Sequence, residues 1–245
     1  MYHFFVTPKQ VQDGFCTITG QDVNHIRNVL RMRQGEQIGI RDGISRNYIC
    51  IIEELGTDRI RARILSEEKE NSELPCRIYL FQGLPKSDKM DWIIQKAVEL
   101  GVYRIIPMAT RRAVVKLEGK RAEAKVQRWN AIAASAAKQS GRMVLPEVAG
   151  VAGFAEACAM AGQLDCALIP YELAEGIGET RKILGGIRPG MEVAVMIGPE
   201  GGFDVEEVRN AQEAGILPIT LGRRILRTET AGMAALSVLM FYLEQ

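Results

Sequence analysis

Over residues 1–71, apolar and polar positions alternate in short runs. This period of two predicts strands at 4–6, 37–41, 48–53 and 59–65. Gly14, Gly20, Gly35, Gly43 and Gly56 fall between runs and read as turn residues. One segment has the helical period instead: Val23, Ile26, Val29 and Leu30 form an apolar stripe within 21–33, with Arg27, Arg31 and Arg33 beside it. The expectation is a small β-barrel with one helix. Ser66-Glu67-Glu68-Lys69-Glu70-Asn71-Ser72-Glu73 has no apolar anchor and precedes Pro75, so it reads as a linker. The expected domains are therefore 1–71 and 72–245.

From Cys76 onward, strand and helix patterns take turns. Strands are predicted at 77–82, 103–108, 165–170, 192–197 and 217–221. Helices are predicted at 88–100, 119–139, 153–162, 179–185, 204–214 and 229–243, with Gly101 and Gly215 where a helix C′ residue belongs. Val193 to Ile197 is apolar on both faces, as a buried parallel strand requires. The second domain is thus expected to be α/β, with helices on both sides of a parallel sheet. Its last helix has almost no polar face from Ala231 to Leu243. Such a helix must be buried, either against a second subunit or inside its own domain.

Composition narrows the class. The chain has 245 residues, 47% hydrophobic and 25% charged, the balance of a soluble globule. No apolar run approaches the ~20 residues of a membrane helix. Met1-Tyr2-His3-Phe4-Phe5-Val6 has neither the basic start nor the apolar core of a signal peptide, so a cytoplasmic protein is expected. Cys16, Cys50, Cys76, Cys158 and Cys166 are odd in number and scattered, which suits reduced thiols. With only His3 and His25 besides, no metal site is expected.

The net charge of +1 conceals an asymmetry. Residues 101–145 carry ten basic side chains against two acidic ones, a net +8, whereas 146–220 carry four against twelve, a net −8. The basic stretch is either a solvated helix face or a surface for a polyanion.

Two loops concentrate the chemistry. The first, Ile197-Gly198-Pro199-Glu200-Gly201-Gly202-Phe203, follows a predicted strand, where ligands bind in open α/β sheets. It lacks the Gly-Lys-Ser/Thr ending of a phosphate loop, and Glu200 repels phosphate. It suits a ligand of little negative charge, or else it is a tight turn in which Asp204 caps the next helix. The second, Leu221 to Ala231, also joins a strand to a helix and crowds Arg223, Arg224, Arg227, Thr228, Glu229 and Thr230 together. Capping explains Thr228 and Glu229 but leaves the three arginines without a role.

These segments, taken in order, carry a resemblance. They include His25-x-x-x-Val29-Leu30-Arg31-x-x-x-Gly35, Gln95-Lys96-x-x-Glu99-Leu100-Gly101-Val102, Pro107 and Arg111-Arg112. They continue with Arg128-Trp129, Ala136-x-x-Gln139-Ser140-Gly141-Arg142-x-x-x-Pro146 and the two loops above. Over essentially its whole length the chain resembles the RsmE family of bacterial 16S ribosomal RNA uracil-N3 methyltransferases.

The resemblance implies a SPOUT-class second domain whose deep trefoil knot forms the pocket for S-adenosylmethionine, a PUA-like RNA-binding barrel, and a homodimer acting on 16S rRNA, within the 30S subunit. Periodicity alone implies only an ordinary doubly wound sheet. By position, the cofactor residues are Ile169, Pro170, Tyr171 and Glu172; Ile197, Gly198, Pro199, Glu200, Gly201 and Gly202; and Leu221, Gly222, Ile225, Leu226, Thr230 and Ala231. RNA phosphates are expected on Arg27, Arg31, Arg33, Arg111, Arg112, Lys116 and Arg142. For catalysis, N3 of uracil must lose its proton, and a fixed guanidinium stabilises the resulting charge. Arg227 is the candidate, with Glu229 to orient it or take the proton.

Three other functions share part of this pattern. A SPOUT ribose 2′-O-methyltransferase shares fold and cofactor. A non-catalytic RNA-binding assembly factor has no use for the cofactor loops. A nucleotide-dependent oxidoreductase needs Gly-x-Gly-x-x-Gly after the first α/β strand, where Phe81-Gln82-Gly83-Leu84-Pro85-Lys86 does not fit.

Overall fold

A computed structural model describes residues 1–68, 72–172, 174 and 176–244. It divides into two compact units: Met1–Glu73 with Ala137–Leu145, and Leu74–Ala136 with Pro146–Gln245.

The first unit contains strands β1 (His3–Phe5), β2 (Val11–Gln12), β3 (Phe15–Thr19), β4 (Gln37–Arg41), β5 (Asn47–Leu55) and β6 (Arg59–Glu68). They form one sheet in the order β1-β4-β5-β6-β3-β2, antiparallel except for β1 with β4. The sheet curls. Cys16 on β3 and Cys50 on β5 are separated by β6, yet their Sγ atoms lie 3.8 Å apart. A flat sheet would hold those strands at about twice the ~4.8 Å strand spacing. The curl encloses a core of Phe4, Ile18, Ile38, Ile40, Ile52 and Ile60, closed by Val23 and Ile26.

Three expectations for this unit need correction. The helix foreseen at 21–33 is α1 (Gln21–Asn24) followed by one π-turn at His25–Val29. It stops because Arg31 takes φ +53°, which no helix continues through. β2 and β3 escaped the pattern reading, although Phe15 to Thr19 does alternate between a partly exposed and a buried side. The foreseen linker is mostly structured. Ser66, Glu67 and Glu68 extend β6, and Glu73 accepts from Arg142 Nε at 2.9 Å and from the Met143 and Val144 N–H groups at 2.7 and 3.1 Å. Its Lys69, Glu70 and Asn71 lie outside the described residues.

The second unit runs β7 (Arg77–Gly83), α2 (Lys89–Glu99), β8 (Val102–Ala109), α3 (Gly119–Ser140), β9 (Glu147–Val148), β10 (Ala152–Gly153), α4 (Phe154–Ala161), β11 (Cys166–Pro170), α5 (Ile177–Leu184), β12 (Glu192–Ile197), α6 (Val205–Glu213), β13 (Leu217–Ile219) and α7 (Thr228–Leu243). The sheet order is β10-β8-β7-β12-β11-β13, all parallel, with β9 also on β8. β12 lies between β7 and β11, which is why Val193 to Ile197 is buried throughout. After edge strand β13 the chain returns to the middle of the sheet, where α7 packs on α2 and β12.

α7 is not buried all round. Thr228, Gly232, Ala235, Leu236 and Leu239 face inward, while Val238, Phe241 and Tyr242 are exposed, Phe241 by 71%. Burial inside its own domain therefore accounts for only one side of this helix. Among the described residues, no helix is long and apolar enough to cross a membrane.

Candidate cofactor site

Three loops at the carboxyl ends of β11, β12 and β13 line an open-mouthed cavity of about 280 Å³. Each loop is fixed by bonds that its sequence makes available. The loop after β11 begins at Pro170 and Tyr171, and the Tyr171 N–H donates to the Ile219 carbonyl at 2.9 Å, tying it to β13.

The loop after β12 turns tightly, with Gly202 N–H donating to Pro199 O at 2.9 Å and Gly202 at φ +66°. A Cβ on Gly198 would sit 3.1 Å from the Gly202 carbonyl carbon, so a larger residue would crowd the turn and push its backbone apart by a few tenths of an ångström. The loop then enters α6 through a capping box. Glu206 N–H donates to Asp204 Oδ1 at 3.1 Å, and Asp204 N–H to Glu207 Oε2 at 2.9 Å. The capping reading of Asp204 is thus met, and it leaves the turn before Asp204 on the cavity wall.

The loop after β13 turns at Gly222, φ +108°, whose N–H donates to Thr220 Oγ1 at 3.2 Å. Beyond it Ile225 is 89% exposed, an apolar side chain standing in water on the cavity wall.

The cavity gathers most of the expected cofactor residues. Pro170, Tyr171 and Glu172 line it from the first loop, and Ile197 through Gly202 from the second. Leu221, Gly222, Ile225, Leu226 and Ala231 line it from the third. Two expected residues stand off it. Ile169 points into the core cluster because strand residues alternate sides, while its neighbour Pro170 faces the cavity. Thr230 is exposed, two residues past Thr228 and so about 200° around the helix from it.

Several lining residues were missed or misassigned. Thr228, read only as a cap, reaches across instead. Its Oγ1 donates to the Gly198 carbonyl at 2.6 Å and accepts from Gln82 Nε2 at 2.9 Å. Gln82, at the end of β7, is fully buried and makes this junction a three-element knot of hydrogen bonds. Arg112, expected on RNA, is part of the cavity wall. Its guanidinium donates to Gly201 O at 3.1 Å and to Asp204 Oδ2 at 3.3 Å. Nothing in the local sequence around Arg112 signals this, because the contact joins positions 89 residues apart.

The charges around the cavity are paired across elements. Glu200 accepts from the Lys86 N–H at 3.1 Å and from Lys89 Nζ at 3.1 Å. Burial pushes its carboxyl up, but its own backbone N–H, the Lys89 ammonium and the Lys86 N–H together hold it below the ordinary value. Glu229 accepts from the same Lys89 Nζ at 3.2 Å. The expected orienting pair of Glu229 with Arg227 is therefore not made. Arg227 is exposed at the N-cap of α7, with no ion-pair partner among the described residues.

The residues expected on RNA divide three ways. Arg31, Arg33 and Lys116 are exposed, Arg27 is half-buried, and none of the four has an ion-pair partner among the described residues. Arg111 is anchored to Asp204 at 3.3 Å but remains largely exposed. Arg142 is a correction: it is 3% exposed, with its guanidinium against Glu73, so it serves the first unit's interior and has no free face for a phosphate. No cluster of three or more His, Cys, Asp or Glu able to hold a metal exists among the described residues.

Comparison with known proteins gives the family. Residues 72–240 match an RNA methyltransferase domain and residues 18–65 an RNA methyltransferase PUA domain. A Bacillus subtilis protein named ribosomal RNA small subunit methyltransferase E is 37% identical, over 99% of this chain and 96% of that one. The chain belongs to the small-subunit ribosomal RNA methyltransferase E family. The crystal structure of that enzyme from Neisseria gonorrhoeae, bound to S-adenosylmethionine, superposes with a TM-score of 0.84 at 34% identity, covering 98% of this chain and 97% of that one. A Legionella pneumophila methyltransferase in complex with the same cofactor gives 0.83 at 32% identity, covering 98% and 96%.

Proposed function

We propose that this chain methylates N3 of a uridine in small-subunit 16S rRNA, using S-adenosylmethionine. The observation that carries the reading is that the loops after β11, β12 and β13 line one shared, open-mouthed cavity. The residues fit that cofactor. Ile197, Leu221, Ile225 and Leu226 offer apolar surface for an adenine, and glycine turns bring backbone donors and acceptors close to it. The walls hold no phosphate-binding loop, and the Glu200 carboxylate suits a cationic sulfonium. When bound there, S-adenosylmethionine supplies an electrophilic methyl group.

What remains for the chain is to orient the acceptor and favour its anionic form. Arg227 suits this task. It has no ion-pair partner among the described residues, is always charged, and sits at the positive end of α7 one residue from the cavity wall. Its guanidinium stabilises the negative charge that spreads over the uracil carbonyls when N3 loses its proton. Glu229, neutralised by Lys89, fits a role in fixing the start of α7 better than one in taking that proton.

The path of the chain supports the trefoil knot of the SPOUT class. In this reading the segment after Thr220 threads back through the loop after β12, and the Thr228–Gly198 bond locks the crossing. The target base leaves its stack to reach the cavity, with phosphates held by Arg27, Arg31, Arg33 and Lys116. The exposed Val238, Phe241 and Tyr242, beside a groove lined by Arg181 and Leu184, suit a second copy of the chain, giving a homodimer. A substrate that is a component of the small ribosomal subunit implies a cytoplasmic enzyme. The test is transfer of a labelled methyl group from S-adenosylmethionine to 30S subunits or free 16S rRNA. Labelled rRNA is expected, and rRNA left unlabelled by a chain that binds the cofactor contradicts the reading.

A further inference from the structure

Lys89 occupies a position that its own helix does not favour. It is the first residue of α2, where the helix dipole disfavours a cation. Two carboxylates offset this. Glu200 Oε1 lies 3.1 Å and Glu229 Oε2 3.2 Å from its Nζ, and all three side chains are at most one-third exposed. The two acids come from different parts of the site. Glu200 lies on the cavity wall in the loop after β12, and Glu229 lies in the first turn of α7, two residues past Arg227. Glu200 also accepts from the Lys86 N–H, so the segment leading into α2 and the first residue of that helix both hold the cofactor loop. Without the ammonium, two partly buried carboxylates a few ångströms apart repel each other, and the loop and the helix lose their common anchor.

We propose that Lys89 is a positioning residue that clamps the cofactor loop to the start of α7, so that the cavity and Arg227 are held in one arrangement. The inference rests on the reading of Arg227 as the group that meets the target base. It assigns Lys89 no contact with either substrate. Lys89 acts through Glu200 on cofactor affinity and through Glu229 on the placement of Arg227. Its signature is therefore a joint loss in cofactor binding and turnover with rRNA binding spared.

The test compares K89M and K89R in the full chain. Calorimetry gives S-adenosylmethionine affinity without RNA, and steady-state assays give kcat and KM for rRNA. K89M is expected to lose about 10-fold in cofactor affinity and about 10-fold in kcat at saturating cofactor, with KM for rRNA within about 2-fold. K89R, whose guanidinium also bridges two carboxylates, restores both to within about 3-fold. Wild-type kcat in K89M, or no rescue by K89R, overturns the proposal. Should K89M lose its cooperative melt, K89Q/E229Q removes the repulsion together with the clamp, and its kcat is expected to stay low; a wild-type kcat there overturns the proposal equally. An Arg227→Ala variant of undiminished kcat would instead remove the parent reading, and is seen separately.

Discussion

The Thr228 hydroxyl donates to the carbonyl of Gly198 at 2.6 Å, joining the first residue of the last helix to the turn that follows the central strand β12. Gln82 donates to the same hydroxyl at 2.9 Å, so one buried side chain on α7 bonds both β7 and the turn after β12. Thr228→Val keeps the shape and removes both bonds. It is expected to cost about 1–3 kcal/mol and to lower Tm by about 2–10 °C. Cofactor affinity falls with it, while Thr228→Ser stays close to wild type in both. Thermal melting and calorimetry check this.

Ile225 makes the opposite case. At 89% exposure it contributes little to the fold, so Ile225→Ala is expected to leave stability within about 0.5 kcal/mol of wild type. If the adenine covers it, the same change weakens cofactor binding about 10-fold. A residue neutral for melting and costly for binding marks a ligand contact.

Arg227→Ala removes the proposed charge stabiliser without touching the cavity wall. A loss of about 100-fold or more in kcat is expected, with cofactor affinity within about 2-fold. Stopped assays beside calorimetry separate the two, and full turnover would acquit Arg227 of any part in the chemistry.

Arg142 and Lys116 were alike in sequence as basic residues of one stretch, and the structure separates them. Arg142→Ala leaves Glu73 partly buried without its cation and is expected to destabilise by about 3–5 kcal/mol. Lys116→Ala is expected to leave melting unchanged and to make the slope of log affinity for rRNA against log salt shallower by about 0.7–0.9. Filter binding across salt concentrations gives that slope.

Glu73 also sets a pH dependence. Burial raises its carboxyl, but the Arg142 guanidinium and the Met143 and Val144 N–H groups bring the net value below the ordinary one. A depressed folded value means that the stability is present above the unfolded pKa and lost as pH falls through the folded one. The stability it confers is thus expected to decline below about pH 4.3 and to be flat in neutral solution. Melting of wild type and Glu73→Gln between acid and neutral pH checks it, and the two should converge in acid.

Much of this was legible in the sequence because the second unit follows local rules. Val193 to Ile197 is apolar on both faces and reads as a buried parallel strand, and the family resemblance, carried over by position, pointed to the loops that line the cavity after it and at Gly222. What escaped was non-local. Lys89, Gln82 and Arg112 become part of the site through partners 89 to 146 residues away, and no window of sequence carries that information. Arg142 misled for the same reason: a basic residue in a basic stretch looks like a phosphate contact until Glu73 is placed beside it. The helix at 21–33 was overextended because its apolar stripe continues to Leu30, whereas the backbone breaks at Arg31.

The central claim is that the three-loop cavity delivers a methyl group to a uracil nitrogen. The most direct measurement is to modify 30S subunits or 16S rRNA with labelled S-adenosylmethionine, digest the RNA to nucleosides and identify the labelled one. The account predicts N3-methyluridine at a single site. Label recovered as a 2′-O-methylated nucleoside, or on any base other than uracil, would contradict it.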